Sequence, residues 1–162
     1  MTLWNQGRAT VLERSLGALD WLAAKRGNVQ EKPAHLVTGE RGEDAVLFFL
    51  IRSGFTVVAR RWNDGPLPGD LDLIAWSGAT LCFVEVKTRT TKNMAPAELA
   101  VDVHKRKTLR RLANQYLRQL PGTERPLTRF DIVTVYELPG SSRSIRLIPG
   151  AFGWSERGHG RG

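Results

Sequence analysis

The sequence predicts an α/β domain: a mixed central sheet flanked by helices. Two observations lead there. Hydrophobic patterning falls in the order helix, three strands, helix, two strands, with no internal repeat. The third strand, Thr80 to Val86, is apolar, β-branched and aromatic on both of its faces, as a buried strand is.

The elements can be taken in chain order. Residues 1–34 form an N-terminal extension in which Leu12, Leu16, Leu19 and Ala23 recur at helical spacing. That spacing predicts an amphipathic helix over about 9–25, ended by Gly27-Asn28 and separated from the main domain by Pro33. The main domain covers 35–150. Its first helix takes Thr38 as N-cap, Glu40, Glu43 and Asp44 as an acidic first turn, and Gly54 as stop. Glu43 shares a stripe with Val46, Leu47 and Leu50, which turns it inward; Glu40 and Asp44 lie close in angle, so periodicity does not choose among the three.

Phe55 to Trp62 is the first strand, with Arg60 and Arg61 at its exit, and Asn63 to Gly69 is a turn-rich loop. Leu71 to Trp76 and Thr80 to Val86 form a hairpin about Ser77-Gly78-Ala79. A polar, basic loop from Thr88 to Pro96 holds Arg89 and Lys92. A long helix then runs from about Ala97 to Leu120, stopped by Pro121-Gly122. Its apolar line is Leu109, Leu112, Ala113, Tyr116, Leu117 and Leu120, with Lys107, Arg110, Arg111 and Arg118 on the flanks and outer face. Lys105 stands four before Leu109 and seven before Leu112, so it projects from the core-facing side and either snorkels out or reaches a site beneath the helix. Arg129 to Leu138 and the edge strand Ser144 to Ile148 complete the sheet. Residues 151–162 form a flexible basic tail from which Trp154 tucks back.

At 162 residues the chain is long enough for one domain with a real core. Its formal charge of +8 favours a polyanionic partner, nucleic acid before an anionic membrane. The single cysteine, Cys82, lies inside the apolar strand, which rules out an internal disulfide framework and fits a small buried hydrophobe. No apolar run reaches the length of a membrane span, and the N-terminus lacks the apolar core of a signal peptide, so a cytoplasmic location is expected.

The chemistry concentrates at the hairpin. Glu85 and Lys87, two apart, point to the side shared by Leu81 and Phe83. Charges at the end of so apolar a strand are costly unless paired, metal-bound or placed in a cleft. Asp70 and Asp72, also two apart, lie on the neighbouring strand, which can bring an Asp carboxylate within reach of Glu85. Two carboxylates with water and a backbone carbonyl make a hard oxygen site suited to Mg²⁺, and a lysine beside it can stabilise the charge of a reacting phosphate. The same spacing also fits a cross-strand Asp–Lys or Glu–Lys pair of little energetic weight, and spacing alone does not decide between them.

Asp72 followed by Glu85-Val86-Lys87 resembles the PD-(D/E)xK signature of restriction-endonuclease-like nucleases. Three blocks, Gly39–Ala45 (GERGEDA), Gly69–Ala75 (GDLDLIA) and Phe83–Arg89 (FVEVKTR), resemble the hallmarks of the YraN-like family of small bacterial proteins with that nuclease fold. The likeness spans roughly 35–138 and takes in Lys105, Tyr116-Leu117 and Phe130-Asp131. It implies Asp72 and Glu85 as ligands of Mg²⁺ or Mn²⁺, Lys87 as the catalytic lysine, and Glu43 as an additional acidic catalytic residue over the metal. Asp131 matches a family position too, where a structural role is preferred. One departure is Asp70, where the family carries Glu. The function implied is metal-dependent phosphodiester hydrolysis on DNA before RNA, structure-selective or non-specific, since no base-reading motif is present. Arg60, Arg61, Arg89, Lys92 and Lys105 are the expected nucleic-acid contacts, and such enzymes often work as homodimers. Two other readings share the fold: a catalytically silent nucleic-acid-binding module, and an adaptor holding a protein partner.

Overall fold

The computed structural model describes residues 34–90 and 101–155. The expected N-terminal helix, Lys92 and the last seven residues lie outside them. Helix α1 (Ala34–Arg52) is followed by strands β1 (Thr56–Trp62), β2 (Leu71–Ser77) and β3 (Thr80–Arg89), helix α2 (Val103–Gln119), and strands β4 (Leu127–Tyr136) and β5 (Ser144–Phe152). The five strands lie in sequence order in one sheet. β1, β2 and β3 form an antiparallel meander, β4 runs parallel to β3, and β5 is antiparallel to β4. The parallel step needs a crossover, and α2 supplies it. This is the mixed, helix-flanked order that the sequence predicts.

The β2–β3 hairpin closes through Gly78-Ala79 between the paired Ser77 and Thr80, with Gly78 in the left-handed region at φ 59°. Alternation along β3 then sends Leu81 and Phe83 to one core and Cys82 and Val84 to the other. The first core joins them to Leu109, Leu112, Ala113 and Leu117 of α2; the second joins β3 to Val46 and Leu50 of α1. The sheet is therefore sandwiched, and Glu85 and Lys87 take the parity of Leu81 and Phe83 onto the α2 side.

Several boundaries differ from those expected. The described part of α1 starts at Ala34 and already runs through Thr38, the expected N-cap. Glu40, Glu43 and Asp44 consequently sit in the body of α1. There the helix comes very close to β3: a Cβ added at Gly42 would lie 2.1 Å from Thr88 Oγ1. β3 itself runs on to Arg89, so Thr88 and Arg89 belong to the strand and not to the loop, and Glu137 N–H donates to the Arg89 carbonyl. The described part of the long helix starts at Val103 and is capped by Asp102, whose side chain accepts from Lys105 N–H at 2.8 Å.

β5 continues to Phe152, beyond the expected end of the domain. Phe152 stacks on Phe130 at 4.7 Å, and Trp154 packs edge-on against Phe130 and Phe83 while its Nε1 donates to Thr128 Oγ1. Trp154 thus tucks back as expected. The same segment covers Arg110, which is 9% exposed rather than on the outer face; its Nε donates to the Gly153 carbonyl at 2.8 Å.

Candidate active site

At the open end of the hairpin the β2–β3 register is carried to Leu73↔Val84. One residue earlier, Asp72 turns its side chain to the neighbouring strand, and Oδ2 accepts from Val86 N–H at 2.7 Å. This bond holds the Asp72 carboxylate against the very stretch of β3 that carries Glu85 and Lys87. Just upstream, Gly69 at φ 84° lets the loop swing beneath Thr108 of α2 and into β2.

Glu85 is 3% exposed. Its Oε1 accepts from Lys87 Nζ at 2.8 Å. Lys105 reaches down from the first turn of α2 and places Nζ 3.3 Å from Oε2, in an ion pair whose angle leaves that oxygen without a formed hydrogen bond. Of the two outcomes open to Lys105 from its spacing, the structure takes the one beneath the helix. Burial works to lower the Lys105 pKa, but the charges of Glu85 and Asp72 outweigh it and hold the ammonium above its ordinary value, with Asp70 adding to the effect. Asp70 therefore acts on the site electrostatically despite its shorter side chain.

Asp72 is the perturbed acid. Burial first, and the Glu85 charge second, push its carboxyl up to about 7, against the opposing pull of Val86 N–H and Lys105. Glu43 contributes further in the same direction, so α1 brings its acid within electrostatic range.

Glu43 does not point into the site unaccompanied. Arg61 Nε donates to Glu43 Oε2 at 2.6 Å, and Arg61 Nη1 stands 3.3 Å from Glu40 Oε1. The hydrogen bond to Glu43 is the main cause that keeps the Arg61 guanidinium charged beyond its usual range. Arg61 takes φ 46°, a left-handed conformation costing a non-glycine residue about 1 kcal/mol, and it directs the side chain toward α1. Arg60 pairs with Asp44. Arg60 and Arg61, two of the three arginines expected on a nucleic-acid surface, are thus engaged by the acids of α1. Sequence reading misses this because the partners lie 16 to 21 residues apart.

Asp131 is 0% exposed and lies on the α1 side of β4, in line with Val133 and Val135. It accepts from Arg129 Nε at 2.7 Å, from a second Arg129 nitrogen at 3.0 Å, and from Gly150 N–H at 2.9 Å. This is the structural role preferred from sequence. Burial, with the Asp131 charge next, also pushes the Cys82 thiol up to about 11, as suits an inert packed cysteine.

Among the described residues no three His, Cys, Asp or Glu side chains converge as a metal cage. Two carboxylates, with one buried Glu85 oxygen lacking a hydrogen-bond partner, still fit a hard divalent cation that retains several waters, as Mg²⁺ does. A separate cleft of about 480 Å³ lies past the other end of α2, lined by Trp76, Leu120, Pro121, Glu124, Arg125 and Pro126. It contains none of the expected site residues. Among the described residues no helix is long and apolar enough to cross a membrane.

Residues 42–135 match the uncharacterised protein family UPF0102. A UPF0102 protein of Koribacter versatilis is 50% identical over 122 residues, covering 75% of this chain and 83% of its own length. Relatives from Solibacter usitatus and Symbiobacterium thermophilum are 41% and 44% identical over 114 residues, each covering 70% of this chain and, respectively, 84% and 94% of their own lengths. The chain belongs to the UPF0102 family. This is the YraN-like family that its three sequence blocks resemble. The UPF0102 match runs from Gly42 in α1 to Val135 in β4, so it contains Glu43, Asp72, Glu85, Lys87 and Lys105 together, and it stops short of β5. Among solved structures, the chain is similar at 21% identity to Hjc, a Holliday junction resolvase from Archaeoglobus fulgidus, with a TM-score of 0.41 over 68% of this chain and 75% of that one.

Proposed function

We propose that this protein is a divalent-metal-dependent nuclease that hydrolyses phosphodiester bonds, with DNA as the favoured substrate. The observation that carries this reading is the buried Glu85 carboxylate, placed between Lys87 and Lys105 and close to a second buried acid, Asp72. A buried carboxylate with two lysines and a neighbouring acid whose charge it disfavours is the kind of perturbed cluster that marks functional sites.

Asp72 and Glu85 would hold Mg²⁺ or Mn²⁺, which when bound supplies a more acidic water and offsets phosphate charge. The remaining work falls to the chain. Lys87 Nζ, fixed by Glu85 Oε1, stands where it can donate a hydrogen bond to a phosphate oxygen or orient the attacking water. Lys105, kept protonated by the acids beneath it, adds positive charge as the phosphate passes through its pentavalent transition state. As the water oxygen bonds to phosphorus, the bond to the leaving oxygen breaks, and that oxygen takes up a proton. Glu43, steadied by Arg61, orders water on the α1 side.

The test is cleavage of labelled duplex, branched and single-stranded DNA with Mg²⁺ or Mn²⁺. Lys87→Ala and Glu85→Gln are each expected to lower the rate by about a thousandfold. Cleavage at the unaltered rate in either variant would remove the assignment. Salt-sensitive binding without cleavage under any metal would favour the silent nucleic-acid-binding module.

A further inference from the structure

The strongest feature left unexplained is the outward face of α2. Its 17 residues contain no acid. His104, Lys107, Arg111, Asn114 and Arg118 recur at steps of three and four, all exposed, and so form one stripe along the helix. Lys107, Arg111 and Arg118 have no ion-pair partner among the described residues, whereas Arg60 and Arg61 are both spoken for by α1. At a rise of about 1.5 Å per residue the three cations cover roughly 16 Å, close to five base-pair steps of about 3.4 Å.

We propose that this stripe is a docking track for the phosphate backbone of a nucleic-acid duplex, with Lys107, Arg111 and Arg118 as its phosphate ligands. The chemistry of the stripe selects the partner. Its one ring is His104 at the N-terminal end, and it carries no Phe, Tyr or Trp, so it offers no series of rings on which successive unpaired bases could stack, which argues against a single strand. It carries no apolar side chain to enter a bilayer, which argues against a membrane surface. Arginine forks and a lysine on a straight helix suit phosphate oxygens, and they read no sequence. The track leads away from the helix end that holds Lys105 over Glu85, so it contributes affinity rather than chemistry. The inference rests on the nucleic-acid part of the proposed function and is independent of its hydrolytic part.

The experiment compares the full chain with Lys107→Gln/Arg111→Gln/Arg118→Gln, in metal-free buffer, for affinity toward a short blunt duplex across a salt series. Circular dichroism checks that the surface variant is folded. The expected result is a loss of about a hundredfold in affinity, with the slope of log K against log salt falling by about 0.9 for each residue replaced. A variant that keeps the original affinity and slope overturns the proposal. So does an unaltered protein that prefers single-stranded DNA or phosphatidylglycerol vesicles to the duplex. Failure of the hydrolytic reading looks different: the duplex binds through the stripe, and no metal brings about cleavage.

Discussion

Two carboxylates sit almost side by side in the sheet, on β3 and β4, and both are buried. Asp131 faces α1, and Glu85 faces α2. Asp131 is complete: two nitrogens of Arg129 and one backbone N–H converge on it, and the last of these, from Gly150, links β4 to β5. Glu85 has one formed hydrogen bond, from Lys87, and an ion pair with Lys105 that leaves Oε2 without a hydrogen bond. The same desolvation cost falls on both. In one case the fold offsets it fully, and in the other it leaves capacity for something else to bind.

Three experiments press on that contrast. The largest effect is expected at the completed carboxylate. Asp131→Asn breaks a buried pair and should lower stability by about 3 kcal/mol in urea unfolding, while duplex binding per folded molecule is unchanged. An undiminished midpoint would show that Asp131 is less essential to the fold than its partners suggest.

The next effect concerns Asp72. Its folded-state value of about 7 lies above the unfolded 3.8, so the folded protein binds the extra proton between those limits. Stability of the metal-free protein should therefore fall as pH rises from about 4 to 7 and level off above. Asp72→Asn should remove this dependence and stabilise the metal-free protein at pH 8 by about 2 kcal/mol. Metal affinity should run the opposite way and rise through pH 7 as the proton leaves, which titration calorimetry with Mn²⁺ can track. A flat stability profile in the unaltered protein would place Asp72 with the completed carboxylates.

The smallest effect is expected at Arg61, an exposed partner of a half-buried acid. Arg61→Ala should change stability by under about 1 kcal/mol, yet slow cleavage about tenfold by releasing Glu43. Equal cleavage rates would detach Glu43 from the site.

Much of this arrangement can be read in the sequence because it rests on short periods. A period of two puts Glu85 and Lys87 on the side of Leu81 and Phe83, and helical spacing turns Lys105 toward the core; both directions are those observed. Glu43 can be narrowed to an inward stripe but not separated from Glu40 and Asp44, because three residues so close in angle differ only in what opposes them. The unreadable part is long-range pairing. Nothing local to Arg60-Arg61 announces three acids on α1, and nothing near Arg110 announces that residues 152 and 153 will cover it. The described part of α1 runs through the expected N-cap for another reason: threonine is favoured at a helix start but is not excluded from a helix interior, and the sequence pattern alone does not say which applies at Thr38.

The contact between Gly42 and Thr88 reaches further than packing. The absence of a side chain at residue 42 makes room for the Thr88 hydroxyl of β3, and the next residue on that helix is Glu43. A methyl group there would meet the Thr88 side chain and no backbone, so either that side chain turns away or α1 shifts, and a shift would carry Glu43 and the attached Arg61 with it. A shift of about 1 Å can cost a catalytic site a hundredfold in rate. Gly42 is thus a spacer: the seat of the Thr88 hydroxyl, one residue from the Glu43 carboxylate, is made by an atom the chain does not have.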